Sequence, residues 1–290
     1  MIGIVTVLYN SAEVLPAFFA SLSAQSFKDF RLYAVDNASS DDSADLFLSL
    51  SKEREFSSVL IRQQENGGVA QGNNVGIRAA LADRCDQVLL SNNDIVMPSD
   101  CLASLIEGKD RLQAQMAVGK AYYYHSGNRL WYAGGYFRYW AGPAHRYYGE
   151  VDHGQADTAC LVTYAPTCFM LVDASVFTKT GMMDERYFVY WDDTDFVWRA
   201  VMQDGFRLAY IPSSVLEHRI GFSSGGELSA FSLRYLNRNR VYFRRKNYGW
   251  FHRCCAAAYE GLSSLILDVI RLNRQQRNLV RQARKEGRKM

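Results

Sequence analysis

The chain has 290 residues, of which 48% are hydrophobic and 13% aromatic, which excludes wholesale disorder and predicts one large domain, with or without an extension. The formal net charge is +3, but residues 271–290 carry eight Lys and Arg against one Glu, a local net charge of +7. The remaining residues therefore carry −4, and we expect a mildly acidic body with a basic tail and no nucleic-acid partner.

Strand-like and helix-like patterns alternate through the first third of the chain. Apolar runs predict strands at residues 2–8, 31–35, 58–61 and 87–91. Apolar residues at helical spacing predict helices near residues 12–24, 44–50 and 77–81, and another that opens at Pro98. This order predicts an α/β fold with a mostly parallel sheet, in which ligands bind at the carboxyl ends of the strands.

The alternation loosens after about residue 115. Residues 120–157 are rich in Tyr, Trp, Gly and His, and we expect irregular strands and loops there. Further strands are predicted at residues 169–172 and 207–218. From Leu228 the pattern predicts helix to the end of the chain.

Three carboxylates lie close together among aromatic residues, at Asp192, Asp193 and Asp195. Like charges packed this densely cost free energy unless a partner or solvent compensates them. A helix is expected to start here, where exposed N–H groups favour negative charge. Capping that helix needs one Asp and not three, so we predict a functional role for the group.

Polar residues also follow four of the predicted strands. The sets are Tyr9-Asn10, the segment Asp36–Asp41, a Gly- and Asn-rich loop at residues 65–76, and Asn92-Asn93-Asp94. The glycines of the third set would let the backbone approach a ligand closely. An Asx-type turn is an alternative explanation of the fourth set.

In this order the sets resemble the inverting family 2 glycosyltransferases, which use a nucleotide-diphospho-sugar donor. The resemblance extends over about residues 2–245 and includes Trp191–Asp195. It is closest to the bacterial rhamnosyl- and galactofuranosyltransferases that build surface polysaccharides such as O-antigen. It implies a nucleotide-diphospho-sugar transferase fold, Rossmann-like, over residues 1–225, followed by a helical C-terminal extension with a basic tail over residues 226–290.

The resemblance implies a role for each matching residue. Asp193 occupies the position of the catalytic base, with Asp192 and Asp195 as the next candidates. Asp94 would bind Mg²⁺ or Mn²⁺ with the help of His218, while Asn92 replaces the first acid of the family's metal motif. The residues that would hold the donor are Tyr9, Asn10, Asp36, Asn66, Asn73, Asn74, Asn92 and Asn93.

Inverting sugar transfer needs these residue types. A carboxylate takes the proton of the acceptor hydroxyl, and a divalent cation or basic groups stabilise the leaving nucleotide diphosphate. Trp191 is expected to stack on the acceptor sugar, with core packing as the alternative. An arginine cluster is a candidate helper, with a solvated helix face as the alternative: Arg234, Arg238, Arg240, Arg244 and Arg245.

Two other functions fit part of the pattern. A sugar-1-phosphate nucleotidyltransferase normally has a Gly-rich basic loop after the first strand, and Tyr9-Asn10-Ser11 lacks it. A non-catalytic nucleotide-sugar-binding module would not need Asp193 and Asp94. The sequence therefore favours a glycosyltransferase that acts on a saccharide or a lipid-linked saccharide.

Location and partners are predicted from the cysteines and the C-terminal segment. The six cysteines show no zinc or redox spacing and are expected to be reduced and buried, which, with no signal peptide apparent, predicts a cytosolic protein. A peripheral anchor on the anionic inner face of the cell membrane is predicted from basic residues that follow an apolar stripe. A dimer-forming helix and a solvated tail are the alternatives. The stripe consists of Leu262, Leu265, Ile266, Val269, Ile270, Leu272 and Leu279.

Overall fold

The computed structural model describes residues 1–52, 54–219, 228–263 and 272–290. Its core is a ten-stranded sheet, next to which β8 and β9 form a separate hairpin. The strands are β1 Ile2–Leu8, β2 Phe30–Asp36, β3 Ser57–Arg62, β4 Gln87–Ser91, β5 Ile95–Val96, β6 Met116–Tyr123, β7 Leu130–Tyr132, β8 Gly135–Arg138, β9 Gly142–His145, β10 Cys160–Val162, β11 Phe169–Asp173 and β12 Leu208–His218.

The main path of the sheet has the strand order β10-β12-β6-β11-β4-β1-β2-β3. Strands β12, β6, β4, β1, β2 and β3 run in one direction, whereas β11 is antiparallel to both of its neighbours and β10 is antiparallel to β12. The prediction of a mostly parallel α/β sheet is therefore confirmed. The six parallel strands end at one edge, which collects the polar residues that follow them.

Helices cover the sheet because their apolar faces need burial; Phe18, Phe19 and Leu22, for example, are fully buried. The first six helices are α1 Leu15–Ala24, α2 Ser43–Lys52, α3 Gly68–Ala82, α4 Cys101–Arg111, α5 Ala174–Thr180 and α6 Asp192–Val197. A π-helical turn, Trp198–Gln203, continues α6. The C-terminal helices are α7 Ala230–Asn247, α8 Trp250–Ser263 and α9 Arg274–Lys289.

The Gly- and Asn-rich segment differs from its prediction as a loop, because α3 already begins at Gly68. Gly72 and Gly76 lie one helical turn apart, on the face that meets β1. A Cβ at Gly76 would lie 2.4 Å from Val5 Cγ1, and a Cβ at Gly72 would lie 2.8 Å from Val7 Cγ1. These glycines therefore let the helix lie directly on the strand, and their packing role overrides their weak helix propensity.

The C-terminal extension is not one continuous helix as predicted, since Tyr248 and Gly249 separate α7 from α8. Helix α9 folds back on α7 so closely that a Cβ at Gly287 would lie 2.1 Å from the carbonyl oxygen of Arg238. Leu272 is buried, and Leu279 packs on the same small cluster. These two members of the predicted membrane stripe are therefore covered by the chain itself.

Several predictions about the extension fall on other residues. Leu265, Ile266, Val269 and Ile270 lie outside the described residues, as does the predicted boundary between residues 225 and 226, and the side chain of Leu262 is also undescribed. Across the described ranges, no helix combines the length and apolarity needed to cross a bilayer.

All six cysteines are free thiols, as predicted. Cys85 and Cys101 are buried, but Cys254 is exposed. The prediction that every cysteine is buried is wrong, because Cys254 lies on a face of α8 that is exposed.

Candidate active site

Asp94 and His218 meet at the carboxyl edge of the sheet. The chain reverses after β4, and the short strand β5 pairs antiparallel with the end of β12, which places Ile95 opposite His218. Asp94 Oδ1 lies 3.1 Å from His218 Nε2, and Asn92 Nδ2 lies 3.2 Å from the same nitrogen. The two residues predicted to bind metal are thus brought together, with Asn92 beside them.

The electrostatics of this pair suit a cation. Burial disfavours a charge on the imidazole, but the proximity of Asp94 and Cys168 raises the pKa of His218 to about 10. Among the residues described, no polar group makes a well-directed hydrogen bond to the buried Asp94 Oδ1. A divalent cation could take the place of the proton and satisfy this oxygen, so the residues present fit such a group. No cluster of three or more His, Cys, Asp or Glu side chains suited to a metal occurs within the described ranges, which leaves coordination positions for a bound diphosphate.

The acidic helix α6 is preceded by a strained turn. Tyr190 and Trp191 both have left-handed backbone, with φ of 63° and 68°, a conformation that costs on the order of 1–3 kcal/mol per non-Gly residue. Asn239 of α7 is fully buried, and its Nδ2 donates to the carbonyl oxygens of Val189 at 2.8 Å and of Tyr190 at 2.9 Å. Helix α7 therefore holds the turn that orients the first residues of α6.

Asp193 is held by neutral donors. Its Oδ1 accepts hydrogen bonds from the Thr194 backbone N–H at 2.5 Å and from the Thr194 hydroxyl at 3.0 Å. Its Oδ2 accepts a hydrogen bond from the Tyr164 hydroxyl at 3.3 Å. In the part of the chain that the structure describes, no Lys or Arg forms an ion pair with this carboxylate. Burial raises the pKa of Asp193, as a general base at neutral pH requires.

Asp195 lies in the opposite environment. This carboxylate is fully buried and accepts hydrogen bonds from Arg199 Nε, Lys246 Nζ and Asn247 Nδ2, each at 2.8 Å. The Tyr187 hydroxyl donates a further hydrogen bond at 3.3 Å. Asp195 therefore joins α6 to the end of α7, and its oxygens are occupied. These contacts favour a structural role over the catalytic role predicted for it.

Asp192 completes the acidic group and is 5% exposed. Burial, with the negative charge of Asp193 beside it, raises the pKa of its carboxyl group to about 8. Adjacent carboxylates that interact this strongly titrate as a pair. The protonation of Asp192 therefore depends on the charge of Asp193.

Three of the predicted donor-binding residues form a rim at the ends of β1 and β2. Tyr9 is 43% exposed. Asn10 Oδ1 accepts a hydrogen bond from the Ser40 N–H at 2.8 Å, and Asp36 Oδ1 accepts one from the Ser39 N–H at 3.1 Å. Next to this rim, at the end of β3, lies an open cavity of about 600 Å³. It is lined by Arg62, Gln63, Gln64, Glu65 and Gln71.

The predicted asparagines are mostly engaged in contacts within the protein. Asn74 is 1% exposed and exchanges hydrogen bonds with the Met183 backbone and Glu185. Asn93 Nδ2 donates to the Val7 carbonyl oxygen at 2.8 Å. Asn66 Oδ1 accepts a hydrogen bond from the Gly68 N–H at 3.0 Å, at the start of α3, and Asn73 is buried within that helix. Asn92, in contrast, is exposed beside the Asp94–His218 pair.

Trp191 and the arginine cluster are packed against the extension. The Trp191 ring lies 5.2 Å from that of Phe243, which is core packing on one side of a half-buried side chain. Arg240 and Arg244 both pair with Glu260, and Arg234 pairs with Glu286. Arg238 donates to the Arg186 carbonyl oxygen. These contacts give four of the arginines a structural role, which differs from both the predicted role and the solvated helix face, whereas Arg245 is exposed.

An aromatic chain of contacts, missed from sequence, connects the two acidic centres. Trp131 lies 4.6 Å from the His218 ring and 5.4 Å from the His145 ring, and His145 lies 5.8 Å from Tyr164. Tyr164 in turn donates to Asp193. His145 lies in the segment that the sequence predicts as irregular strands and loops, and no role is predicted for Trp131 or Tyr164. The richness in Tyr and Trp of residues 120–157 was the available signal.

The sequence of the chain is similar to those of known proteins. The chain matches the family described as Glycosyl transferase family 2 over residues 3–180. The succinoglycan biosynthesis protein ExoW of Rhizobium meliloti is 30% identical over 119 residues, 39% of this chain and 37% of that protein. The glycosyltransferase GlyG of Streptococcus pneumoniae is 23% identical over 137 residues, 47% of this chain and 44% of that protein. The chain thus spans less than half the length of these relatives.

Solved structures share the fold. Residues 1–349 of Staphylococcus aureus TarS, in complex with UDP-GlcNAc, superpose with a TM-score of 0.68 at 14% identity, over 97% of this chain and 79% of that one. The mannosyltransferase PcManGT of Pyrobaculum calidifontis, in complex with GDP-Man and Mn²⁺, gives a TM-score of 0.62 at 13% identity, over 99% of this chain and 85% of that one. At these identities the likeness establishes the fold alone.

Proposed function

The chain belongs to glycosyl transferase family 2, and we propose that it transfers a sugar from a nucleotide diphosphate donor to a saccharide or lipid-linked saccharide, with inversion at the anomeric carbon. The observation that carries the proposal is Asp193, a carboxylate with a raised pKa and only neutral hydrogen-bond donors. The Asp94–His218 pair lies at the other end of the aromatic contacts that begin at Tyr164.

In the proposed reaction Asp193 accepts the proton of the acceptor hydroxyl. The hydroxyl oxygen bonds to the anomeric carbon from the side opposite the phosphate, and the bond between that carbon and the phosphate oxygen breaks. Its electron pair leaves with the nucleoside diphosphate. Tyr164 and Thr194 hold both carboxylate oxygens, so the base keeps one orientation during the step.

Asp94 and His218 would hold Mg²⁺ or Mn²⁺, which supplies positive charge for the leaving diphosphate. The rim of Tyr9, Asn10 and Asp36 and the neighbouring cavity of about 600 Å³ would hold the nucleoside. The structural neighbour PcManGT, a mannosyltransferase in complex with GDP-Man and Mn²⁺, supports the combination of a nucleotide-sugar donor with a divalent cation.

We further propose a rhamnose or galactofuranose donor and a role in bacterial surface polysaccharide synthesis. The sequence resemblance motivates the sugar, and similarity to a succinoglycan biosynthesis protein supports the polysaccharide. The proposed place of action is the cytoplasmic side of the cell membrane, where a lipid-linked acceptor would be reached.

A donor screen tests the activity. We would incubate the protein with Mn²⁺, a panel of nucleotide sugars and saccharide acceptors, and read the anomeric configuration of the product by NMR. Transfer with inversion is expected. Retention of configuration would contradict the role of Asp193, and release of inorganic pyrophosphate from a nucleoside triphosphate would instead identify a nucleotidyltransferase.

The dependence of donor binding on Mn²⁺ tests the proposed metal site separately from the transfer reaction. Donor binding, measured as a rise in melting temperature, should require Mn²⁺ in the native protein and be lost in Asp94→Ala, because binding stabilises the folded state. His218→Ala should weaken the dependence on Mn²⁺ less. Asp100→Ala, at an exposed position, is the matched control. An unchanged donor-induced shift in the presence of EDTA would contradict the metal role.

A further inference from the structure

Helices α7, α8 and α9 enclose an open cavity of about 390 Å³. Four of its lining residues are arginines, and two of the others, Val241 and Ala257, give it an apolar wall. The arginines come from all three helices: Arg244, Arg245, Arg253 and Arg288. The cavity therefore combines concentrated positive charge with apolar surface, on the side of the extension that the proposed sugar transfer does not use.

The positive charge around this cavity is undercompensated. Glu260 already pairs with Arg240 at 3.0 Å, with Arg244 at 2.7 Å and with Arg284 at 2.8 Å. Arg245, Arg253 and Arg288 are exposed, and none pairs with a carboxylate in the described parts of the chain. Among the residues that the structure describes, three exposed guanidinium groups without a carboxylate partner thus lie at this cavity, an arrangement that gains free energy when an anion enters.

Aromatic side chains lie at the edge of the same surface. Helical spacing places Trp250, Arg253 and Ala257 on one stripe of α8. Trp250 is 73% exposed and the adjacent Phe251 is 66% exposed, although both are large and apolar. A soluble anion would use the arginines and leave these rings in water. An anion embedded in an apolar phase would use both features.

We propose that this surface, defined by Trp250, Phe251, Arg245, Arg253 and Arg288, docks the protein on an anionic membrane, with phospholipid phosphate groups bound in the arginine-lined cavity. Exposed Trp beside Arg is the composition of segments that lie in the membrane interface. The surface differs from the apolar stripe predicted from sequence, of which Leu272 and Leu279 are covered by the chain itself. The proposal is independent of the proposed sugar transfer.

The position of the surface suits an enzyme that works at a membrane. Arg244 Nη2 donates to the Trp140 carbonyl oxygen at 3.2 Å, so the cavity adjoins the β8–β9 hairpin. A Cβ at Gly142 of that hairpin would lie 3.2 Å from the Trp191 ring. Docking through α8 would therefore bring the hairpin and the start of α6 towards the membrane.

Vesicle co-sedimentation of the full chain tests the proposal. The probes are vesicles of phosphatidylcholine alone and of phosphatidylcholine with 30% phosphatidylglycerol, a composition chosen on the order of that of an anionic leaflet. The site variant is Arg245→Glu/Arg253→Glu/Arg288→Glu, and a second variant is Trp250→Ser/Phe251→Ser. The charge-matched control reverses three exposed basic residues of the catalytic body, as Lys52→Glu/Arg84→Glu/Arg111→Glu. Melting temperatures check that every variant is folded.

The native protein and the body control should pellet with the anionic vesicles and stay in solution with neutral ones. The arginine variant should partition about 100-fold less, because each basic residue at such a surface contributes about 1 kcal/mol, and the aromatic variant should also bind less. Equal binding by the arginine variant and the body control would overturn the proposal. So would stabilisation of the native protein by soluble pyrophosphate without any vesicle binding, since the arginines would then serve a soluble anion.

Discussion

Asp193 and Asp195 lie two residues apart in one short helix, yet the protein treats them differently. Asp195 is fully buried and receives two cationic partners, Arg199 and Lys246. Asp193 receives hydrogen bonds from Tyr164 and Thr194, which carry no charge. A compensated carboxylate stabilises the fold, whereas an uncompensated one retains the basicity that proton transfer needs.

The contrast explains how one acidic segment can serve two purposes. One of the two cations that pair with Asp195, Lys246, comes from the far end of α7, so this acid joins the extension to the body. The donors to Asp193 come from its own helix and from the loop before β11, so this acid remains directed at the site. Four substitutions test this difference between Asp193 and Asp195, and each changes a different residue of the acidic segment or its surroundings.

The largest effect is expected for Asp193→Asn. The amide keeps the shape of the side chain but cannot take a proton, so turnover should fall by about 10²–10⁴-fold. Donor affinity and the free energy of unfolding should stay near those of the native protein. Steady-state kinetics and urea denaturation check the two halves of this prediction. Turnover within a few-fold of the native value would transfer the role of base to Asp192.

Asp195→Asn should show the reverse pattern. Removal of the Asp195 charge leaves Arg199 without its carboxylate partner, while Lys246 keeps its ion pair with Asp184 at 2.8 Å. Breaking a buried ion pair in this way typically costs about 3–5 kcal/mol. The midpoint of urea unfolding should therefore fall sharply. The fraction of molecules still folded in dilute buffer should retain donor binding. A normal unfolding midpoint combined with lost turnover would show that Asp195 belongs to the chemistry.

Tyr164→Phe should have a smaller effect, confined to the base. Loss of the hydroxyl group that donates to Asp193 Oδ2 removes a hydrogen bond to the charged form, so the pKa of Asp193 should rise further. The acidic limb of the pH–kcat profile should move about 1 unit to higher pH, with little change in KM. A uniform loss of kcat at every pH would indicate a packing defect instead.

The smallest effect is expected for Asp192→Asn, and it concerns stability against pH. The pKa of Asp192 is raised to about 8 in the folded protein. At pH values between the ordinary pKa of Asp and about 8, the folded state therefore binds more protons than the unfolded state. Stability of the native protein should therefore fall as pH rises through this window. The Asn variant lacks this loss, so its melting temperature relative to that of the native protein should be higher at pH 9 than at pH 5. A difference in melting temperature between the variant and the native protein that stays constant from pH 5 to pH 9 would contradict the raised pKa of Asp192.

Much of the fold could be predicted because buried parallel strands form continuous apolar runs. Val88, Leu89 and Leu90, for example, are fully buried. The antiparallel direction of β11 could not be predicted, because direction depends on connections and leaves no local pattern. The start of α3 was missed for a related reason: Gly68 and Gly72 have weak helix propensity, and contact with β1 overrides it.

The site was predictable where an ordered motif carried it. Asp94 and His218 are 124 positions apart in sequence, and their proximity was inferred from the family resemblance alone. Asp195 could not be separated from Asp193, because its partner Lys246 comes from a helix with no local link to the acidic segment. Tyr164 was missed since it lies in a region without helical or strand periodicity.

The turn at Tyr190 and Trp191 limits how this enzyme can be rebuilt. Its unfavourable backbone is held from α7 by Asn239, which donates to the carbonyl oxygens of Val189 and Tyr190. The extension is therefore not an exchangeable module: a chimera that grafts another protein's C-terminal helices onto this body would lose the support of the turn. Recombination, natural or engineered, should tolerate crossovers that keep α7 with the catalytic body far better than crossovers ahead of α7.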